Sequence, residues 1–307
     1  MKTFLLIFGL ALTSAGFGQG NDNETVHGKV RELRIDIYDV SADSNGITMG
    51  RHQDGDYSNV LIKYNKKSKR IEQYYGYDEG KFRYLYLGYY AKNTLLDSVI
   101  SFTDTISNPR SWNLYTYDKK KKKKKKKRLI SSKEMYHERN YPAIMEYIYD
   151  DRGKLSKKNA FNWNAADWTW EYTYDSQGDM IGEREIYSGQ DTTLTNYEYD
   201  KNHNIIMEIS RDSNGEVLIY NRFKYDTEGR VIEVCNNRDW DTCRIMNECE
   251  YDIHGNITDE KRLEVDVLEY FDHHKMTYEY DKHKNWIRKT IYHNDEPKEI
   301  VIRTITY

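Results

Sequence analysis

The sequence predicts an all-β chain: a long antiparallel meander of about ten two-stranded units, twisted or solenoid-like. Three observations predict it. A Tyr-Asp pair recurs along the chain, tyrosines alternate ahead of each pair, and an apolar residue follows each pair at a fixed offset. Self-similarity at a fixed period marks a repeat architecture.

The pair stands at Tyr38-Asp39, Tyr77-Asp78, Tyr117-Asp118, Tyr149-Asp150, Tyr174-Asp175, Tyr199-Asp200, Tyr225-Asp226, Tyr251-Asp252 and Tyr280-Asp281, with Tyr64-Asn65 a near match and Tyr307 where the next tyrosine falls due. Gly153, Gly178, Gly229 and Gly255 each lie three residues after the Asp. Asp at the first position and Gly at the fourth signal a type I turn closed by a left-handed residue. His203 and Lys284 replace that Gly in two units, and Asn204 and Asn285 follow them. Asn is expected to take up the left-handed position there.

Strands are expected on both sides of each turn. Tyr147/Tyr149, Tyr172/Tyr174, Tyr197/Tyr199 and Tyr278/Tyr280 put two rings on one sheet face. Leu155, Met180, Ile205, Val231, Ile257 and Trp286 restart the strand after the turn. Second turns fall at Asn164–Asp167, Ser188–Asp191, Asp212–Gly215 and Asn294–Pro297. The chain is short for a closed shell, and the pattern leaves open whether the meander stays open or curls closed.

Composition agrees with a thin sheet. The 307 residues include 29 tyrosines and only 3 prolines, with a mean hydropathy of −0.95. Tyrosine supplies much of the apolar area and keeps a hydroxyl that wants water or a partner. Residues 1–18 read as a cleavable signal peptide. Lys2 gives a positive start, Phe4–Leu12 an apolar stretch too short to span a bilayer, and Gly16 and Gly18 the small residues before a cut at Gln19. Residues 19–307 then form one exported repeat domain, periplasmic, outer-surface or extracellular, with no membrane span expected.

The pattern Tyr172-Thr-Tyr-Asp-Ser-Gln-Gly-Asp-Met180, repeated in Phe223-Lys-Tyr-Asp-Thr-Glu-Gly-Arg-Val231, resembles the RHS/YD-repeat family of bacterial secreted and cell-surface proteins. Tyr278–Lys289 looks like the closing unit of short exported Gram-negative members. The resemblance covers about residues 30–307. It implies export, a β-repeat fold, and an adhesive or carbohydrate-binding surface without a toxin domain.

Trp163, Trp168, Trp170, Tyr172 and Tyr174 form the candidate ligand platform, since flat rings stack on sugar faces. A row at strand period also serves packing, with cross-strand aromatic pairs worth up to about 1 kcal/mol. Asp212-Ser-Asn-Gly215 could be read as a calcium loop, but one carboxylate per turn gives too few oxygens. His273-His274 with His254 or His283 matches no ligand spacing. No metal or cofactor is expected. Cys235 and Cys243 end and begin successive strands, so they can face each other as a disulfide, and Cys249 is expected reduced. Asp97-Ser98-Val99, Asp104-Thr105-Ile106 and Asp191-Thr192-Thr193 resemble the acceptor of a general O-glycosylation system in some Gram-negative bacteria, which makes Ser98, Thr105 and Thr192 the acceptors.

Lys119–Lys127 extends one turn by about six residues, and with Arg128 it holds ten positive charges. The rest of the chain is acidic, which argues against specific nucleic-acid binding. The run reads as a tolerated loop insertion, with a cationic arm for anionic polymers the alternative. No catalytic constellation appears. The expected role is non-enzymatic, structural or binding, with a glycan or cell-envelope protein as partner; the alternative is an enzyme acting on envelope or surface polysaccharide.

Overall fold

In a computed structural model of the chain, the Tyr-Asp turns from Asp118 onward are each held by their own aspartate. The Asp175 amide donates to Asp179 O (2.9 Å), while Asp175 Oδ1 accepts the amides of Gly178 (2.7 Å) and Asp179 (2.9 Å). The same carboxylate-to-amide bond, four residues on, recurs at Asp150, Asp200, Asp226, Asp252 and Asp281, at 2.7–2.9 Å. These amides hold the Asp150, Asp175 and Asp200 carboxyls below the usual carboxylate range. Gly153, Gly178, Gly229 and Gly255 take φ between 80° and 96°. Where the glycine is absent, His203 (φ 66°) and Lys284 (φ 67°) themselves adopt the left-handed conformation. That corrects the expectation for Asn204 and Asn285: the Asn204 side chain braces its turn, donating through Nδ2 to Asp200 Oδ2 (3.0 Å), and Asn285 ties its turn to the segment before β1, donating through Nδ2 to His27 O (2.9 Å).

The structure describes residues 26–307 apart from 44–45, 54–58, 67–68, 77–80, 92–94, 104–105, 107–108, 119–127, 137–142, 162–166, 238–244 and 265–268. The signal segment and the Tyr77-Asp78 pair lie outside the described residues. The strands are β1 (Glu32–Asp43), β2 (Gly46–His52), β3 (Val60–Tyr64), β4 (Arg70–Tyr75), β5 (Tyr84–Ala91), β6 (Leu95–Thr103) and β7 (Pro109–Tyr117). Next come β8 (Leu129–Tyr136), β9 (Ala143–Tyr149), β10 (Leu155–Phe161), β11 (Asp167–Tyr174), β12 (Met180–Tyr187), β13 (Gln190–Tyr199) and β14 (Ile205–Asp212). The last are β15 (Val217–Tyr225), β16 (Val231–Asn237), β17 (Ile245–Tyr251), β18 (Ile257–Glu264), β19 (Glu269–Tyr280), β20 (Trp286–His293) and β21 (Glu296–Thr306).

The repeat fixes one register. Tyr174 faces Met180 and Thr173 faces Gly182, so Ile181 is the extra residue of a bulge. The same step recurs at Tyr149/Leu155, Tyr199/Ile205, Tyr225/Val231, Tyr251/Ile257 and Tyr280/Trp286. Bulges add twist and bend to the strand that carries them. At the other end of the strands, Ser188-Gly189 and Asn294-Asp295 have positive φ at both positions, as two-residue hairpins require. The lysine run enters the same frame. The Asp118 amide donates to Arg128 O (2.9 Å) and Arg128 N to Asp118 Oδ1 (3.1 Å), so Arg128 fills the place of Lys154 in the neighbouring unit, while Lys119–Lys127 lie outside the described residues.

The meander does not stay open. β1 pairs with β21 along one edge, from Glu32↔Thr306 to Asp39↔Glu299, and with β3 and then β2 along the other. Every remaining neighbour pair is antiparallel and sequential, so β1 and β3–β21 close a 20-stranded antiparallel barrel, with β2 a hairpin flap on the far half of β1. The solenoid-like sheet expected from the repeat is therefore corrected. Local turn chemistry is the same in open and closed meanders, and the closing contact joins β1 to β21, the first and last strands described. The expectation of no membrane span is corrected with it. Among the described residues no helix is long and apolar enough to cross a membrane, but that criterion does not apply to strands, and a closed barrel is the architecture by which strands cross. A third correction is local: Tyr38-Asp39 is no turn but sits within β1.

The core gathers at the seam. Val30, Leu33, Val60 and Ile62 form one buried cluster, and Ile37, Trp286 and Val301 another. Ile300 is fully buried on the opposite face. Arg303 lies buried with its guanidinium 3.5 Å from the Trp286 ring centroid, a cation–π contact in a desolvated place. Away from the seam most strand residues are half-exposed, and the units are tied together by tyrosine hydroxyls. Tyr149 donates to Leu129 O, Tyr174 to Leu155 O, Tyr199 to Met180 O, Tyr225 to Ile205 O and Tyr251 to Val231 O, at 2.6–2.8 Å. Arg128, Lys154 and Arg230 each sit over the next unit's Tyr149, Tyr174 and Tyr251 rings at 4.8–5.4 Å.

Candidate functional site

The alternation of β11 places Trp168, Trp170, Tyr172 and Tyr174 on one face of the sheet, the face that also carries the tyrosine ladder. Across β12 they meet Tyr187, Glu185, Glu183 and Met180 in that order. Trp168 and Trp170 lie nearly parallel (16°) with centroids 5.9 Å apart, and Tyr187 tilts against Trp168 at 4.6 Å. Lys158, opposite Trp170 on β10, holds Nζ 4.2 Å from the Trp170 centroid.

The platform divides into two parts. Tyr172 and Tyr174 belong to packing: burial pushes the Tyr172 hydroxyl well above its ordinary value, and Tyr174 spends its hydroxyl on Leu155 O. Trp168 and Trp170 are half-exposed and Tyr187 is 39% exposed, leaving aromatic surface open. Trp163 lies outside the described residues. Tyr187 is the residue that sequence reasoning missed; its signal was its place opposite Trp168 across the Tyr-Asp turn. Burial raises the Glu183 carboxyl, with Glu185 adding to the shift and Lys158 opposing it. Burial in turn lowers the Lys158 ammonium. An aromatic surface edged by two carboxyls and an amine can stack a sugar ring and hydrogen-bond its hydroxyls.

The turn aspartates are committed elsewhere. Asp212 Oδ1 accepts the amides of Asn214 (2.9 Å) and Glu216 (2.8 Å), the geometry of a cap. A cavity of about 510 Å³ opens beside Asp175, Asp179, Tyr199 and Asp200. The Asp175 and Asp200 carboxylates accept backbone amides there, and Asp179 faces His203 Nδ1 (2.6 Å).

The candidate histidines do not converge. His254 tilts against Tyr280 and His283 against Tyr307, at 4.3 and 4.2 Å, while His273 bonds Asp259 on the face opposite His274 (3.1 Å). Cys235 is buried and disulfide-bonded, Cys249 is free, and Cys243 lies outside the described residues. Burial pushes the Cys249 thiol up to about 12, which keeps it protonated and unreactive. Ser98 is half-buried in β6, and the Thr192 hydroxyl donates to Glu185 O (3.2 Å). Thr105 lies outside the described residues.

Both faces carry charge at mid-strand: Glu183 and Lys158 on the tyrosine face, Arg184, Glu171 and Lys224 on the other.

No protein-family model matches the chain, and no curated protein matches it. Among solved structures, the crystal structure of TcdB2-TccC3-TEV overlaps 84% of this chain and 16% of its own, at 13% identity and a TM-score of 0.32. The Tc holotoxin pore of Photorhabdus luminescens overlaps 87% of this chain and 18% of its own, at 12% identity and a TM-score of 0.29. The chain thus spans less than a fifth of the length of these two structures. A porin-like protein from Bacteroides uniformis overlaps 92% of this chain and 99% of its own, at 8% identity and a TM-score of 0.37. Overlaps this loose carry no argument about what the chain does.

Proposed function

We propose that this chain is an exported, non-enzymatic protein of the bacterial envelope or cell surface that binds a glycan on the Trp168–Trp170–Tyr187 platform. The observation that carries the reading is the pair of near-parallel indoles with Tyr187 against them, edged by Lys158 and Glu185. Aromatic rings give sugar faces an apolar contact, and the flanking polar groups give orientation. The Tyr-Asp repeat and the signal segment support export and the RHS/YD-repeat relation.

The test is a glycan array with the mature protein, followed by titration of the strongest hit. Trp168→Ala and Trp170→Ala should each weaken binding by about tenfold, a loss near 1.4 kcal/mol. Unchanged affinity in both variants overturns the platform. The expected location is outside the cytoplasm, and recovery of a cytosolic product that retains Met1 overturns export. An enzyme acting on surface polysaccharide has one foothold, the raised Glu183 beside Glu185. Release of reducing ends from a bound glycan by the parent protein, lost in Glu183→Gln, would favour that second reading.

A further inference from the structure

His274 and His293 are 19 residues apart in sequence, yet the β19–β20 register sets them directly opposite each other. Their rings stack at 4.9 Å and 15°. His274 Nε2 stands 3.0 Å and His293 Nε2 2.9 Å from the same oxygen, Asp272 Oδ1. Arg262 on β18 faces Asp272 and lies 3.9 Å from its other oxygen, Oδ2. Glu260, also on β18, faces His274. All three converging side chains are half-buried on the tyrosine face.

We propose that Asp272, His274 and His293 form a binding site for a divalent transition metal of the zinc class, one that fastens β19 to β20. The donor set is two imidazole nitrogens and one carboxylate oxygen. That set suits zinc, whereas calcium and magnesium prefer oxygen alone. Bonds of about 2.0–2.1 Å in tetrahedral geometry need donors roughly 3.3 Å apart. The two nitrogen–oxygen spacings are within a few tenths of an ångström of that, and all three donor atoms lie within 4.8 Å of one another, so side-chain adjustment admits the ion. Three protein ligands leave a fourth position for water. A neutral imidazole that coordinates through Nε2 carries its proton on Nδ1, so ligation leaves each ring's charge unchanged. The bland alternative has each Nε2–H donating to Asp272 Oδ1, a hydrogen-bonded trio that takes no metal.

Zinc titration by calorimetry separates the two, using the mature chain without a histidine tag after exposure to a chelator. The expected result is one Zn²⁺ per chain, bound more tightly than about 100 μM, a free energy near −5.5 kcal/mol. Removing an outer-shell partner alone can cost 10–100-fold in metal affinity. His274→Gln and His293→Gln, which remove ligands, should therefore each lose more than about 100-fold. His273→Gln, next in sequence but on the other face, should bind as the parent does. Cobalt should give a visible ligand-field band in the parent and none in His293→Gln. Zinc should raise the melting temperature of the parent and leave that of His293→Gln unmoved. If His293→Gln fails to fold, Asp272→Asn gives the same reading. Absence of saturable binding in the parent, or equal loss in His273→Gln, overturns the site.

Discussion

Replacing Tyr199 by Phe removes one hydroxyl and keeps the ring. That hydroxyl donates to Met180 O at 2.7 Å, joining β13 to the start of β12 in the preceding unit. A protein hydrogen bond of this kind contributes about 1 kcal/mol net. Tyr199→Ala also deletes a half-buried ring and should cost roughly 2–3 kcal/mol, below the usual 3–5 for a fully buried aromatic residue. Successive rungs stand two strands apart, roughly 10 Å, so their losses should add. Phenylalanine at Tyr149, Tyr174, Tyr199, Tyr225 and Tyr251 together should then cost about 5 kcal/mol, a large part of the stability of an ordinary domain. Alkali provides the second half of the test. Burial, with nearby acids adding to it, raises Tyr199, Tyr225 and Tyr251 to about 12. Their unfolded value is about 10, so their contribution is complete below pH 10 and is lost as pH rises through about 12. Phenylalanine cannot ionise. The Phe variants should therefore be weaker in urea at pH 7 and should resist alkaline unfolding better relative to their own neutral stability. Urea titrations at pH 7 and a pH titration by circular dichroism read both. A loss under about 0.3 kcal/mol at every rung refutes the ladder; an unchanged alkaline midpoint refutes the ionisation argument.

Asp200→Ala deletes the acceptor of two backbone amides and should cost about 1–2 kcal/mol in urea at pH 7. Because the Asp200 carboxyl is lowered in the folded protein, that contribution is present above about pH 4 and fades as pH falls through the folded value, so parent and variant should converge in acid. Lys284→Gly relieves a left-handed non-glycine residue and should raise stability by about 0.5–1 kcal/mol, with a fall speaking against the turn assignment. Non-reducing peptide maps should link Cys235 to Cys243, and Cys243→Ala should cost roughly 2–3 kcal/mol; a free thiol at Cys243 rejects the pairing. Trimming Lys119–Lys127 to two lysines should leave the melting temperature within about 2 °C, since Asp118 and Arg128 already close the turn. Selective binding to one polyanion, lost on trimming, would make the run a functional arm.

The turns were legible because Asp and Gly act within five residues of each other. Asp150, Asp175 and Asp226 could be placed from sequence alone, and so could the shared face of Trp168 and Trp170. Closure was not legible. It depends on Glu32–Asp39 meeting Glu299–Thr306, and no local propensity records a partner at the far end of the chain. Tyr38-Asp39 misled for a related reason: the pair looks like a turn, but strands on both sides of β1 hold it extended. The His274–His293 pairing was readable only with the bulge in hand. Counting back from Tyr280↔Trp286 without the extra residue Ile287 pairs His274 with Tyr292.

The first and last described residues meet at the seam. His27 donates its amide to Asn285 Oδ1 across 258 residues of sequence, and the same Asn285 donates through Nδ2 to the Tyr307 hydroxyl. A Cβ at Gly28 would stand 2.9 Å from the Tyr307 ring. A circle whose ends touch has no privileged starting point. The chain could be joined from Tyr307 back to Val26 by a short linker and cut open at another turn, and each ladder rung and each aspartate cap away from the cut would keep its partner. The order in which the ribosome makes the strands is thus separable from the order in which they hold one another, and circular permutation becomes a way to ask which unit the ring cannot spare.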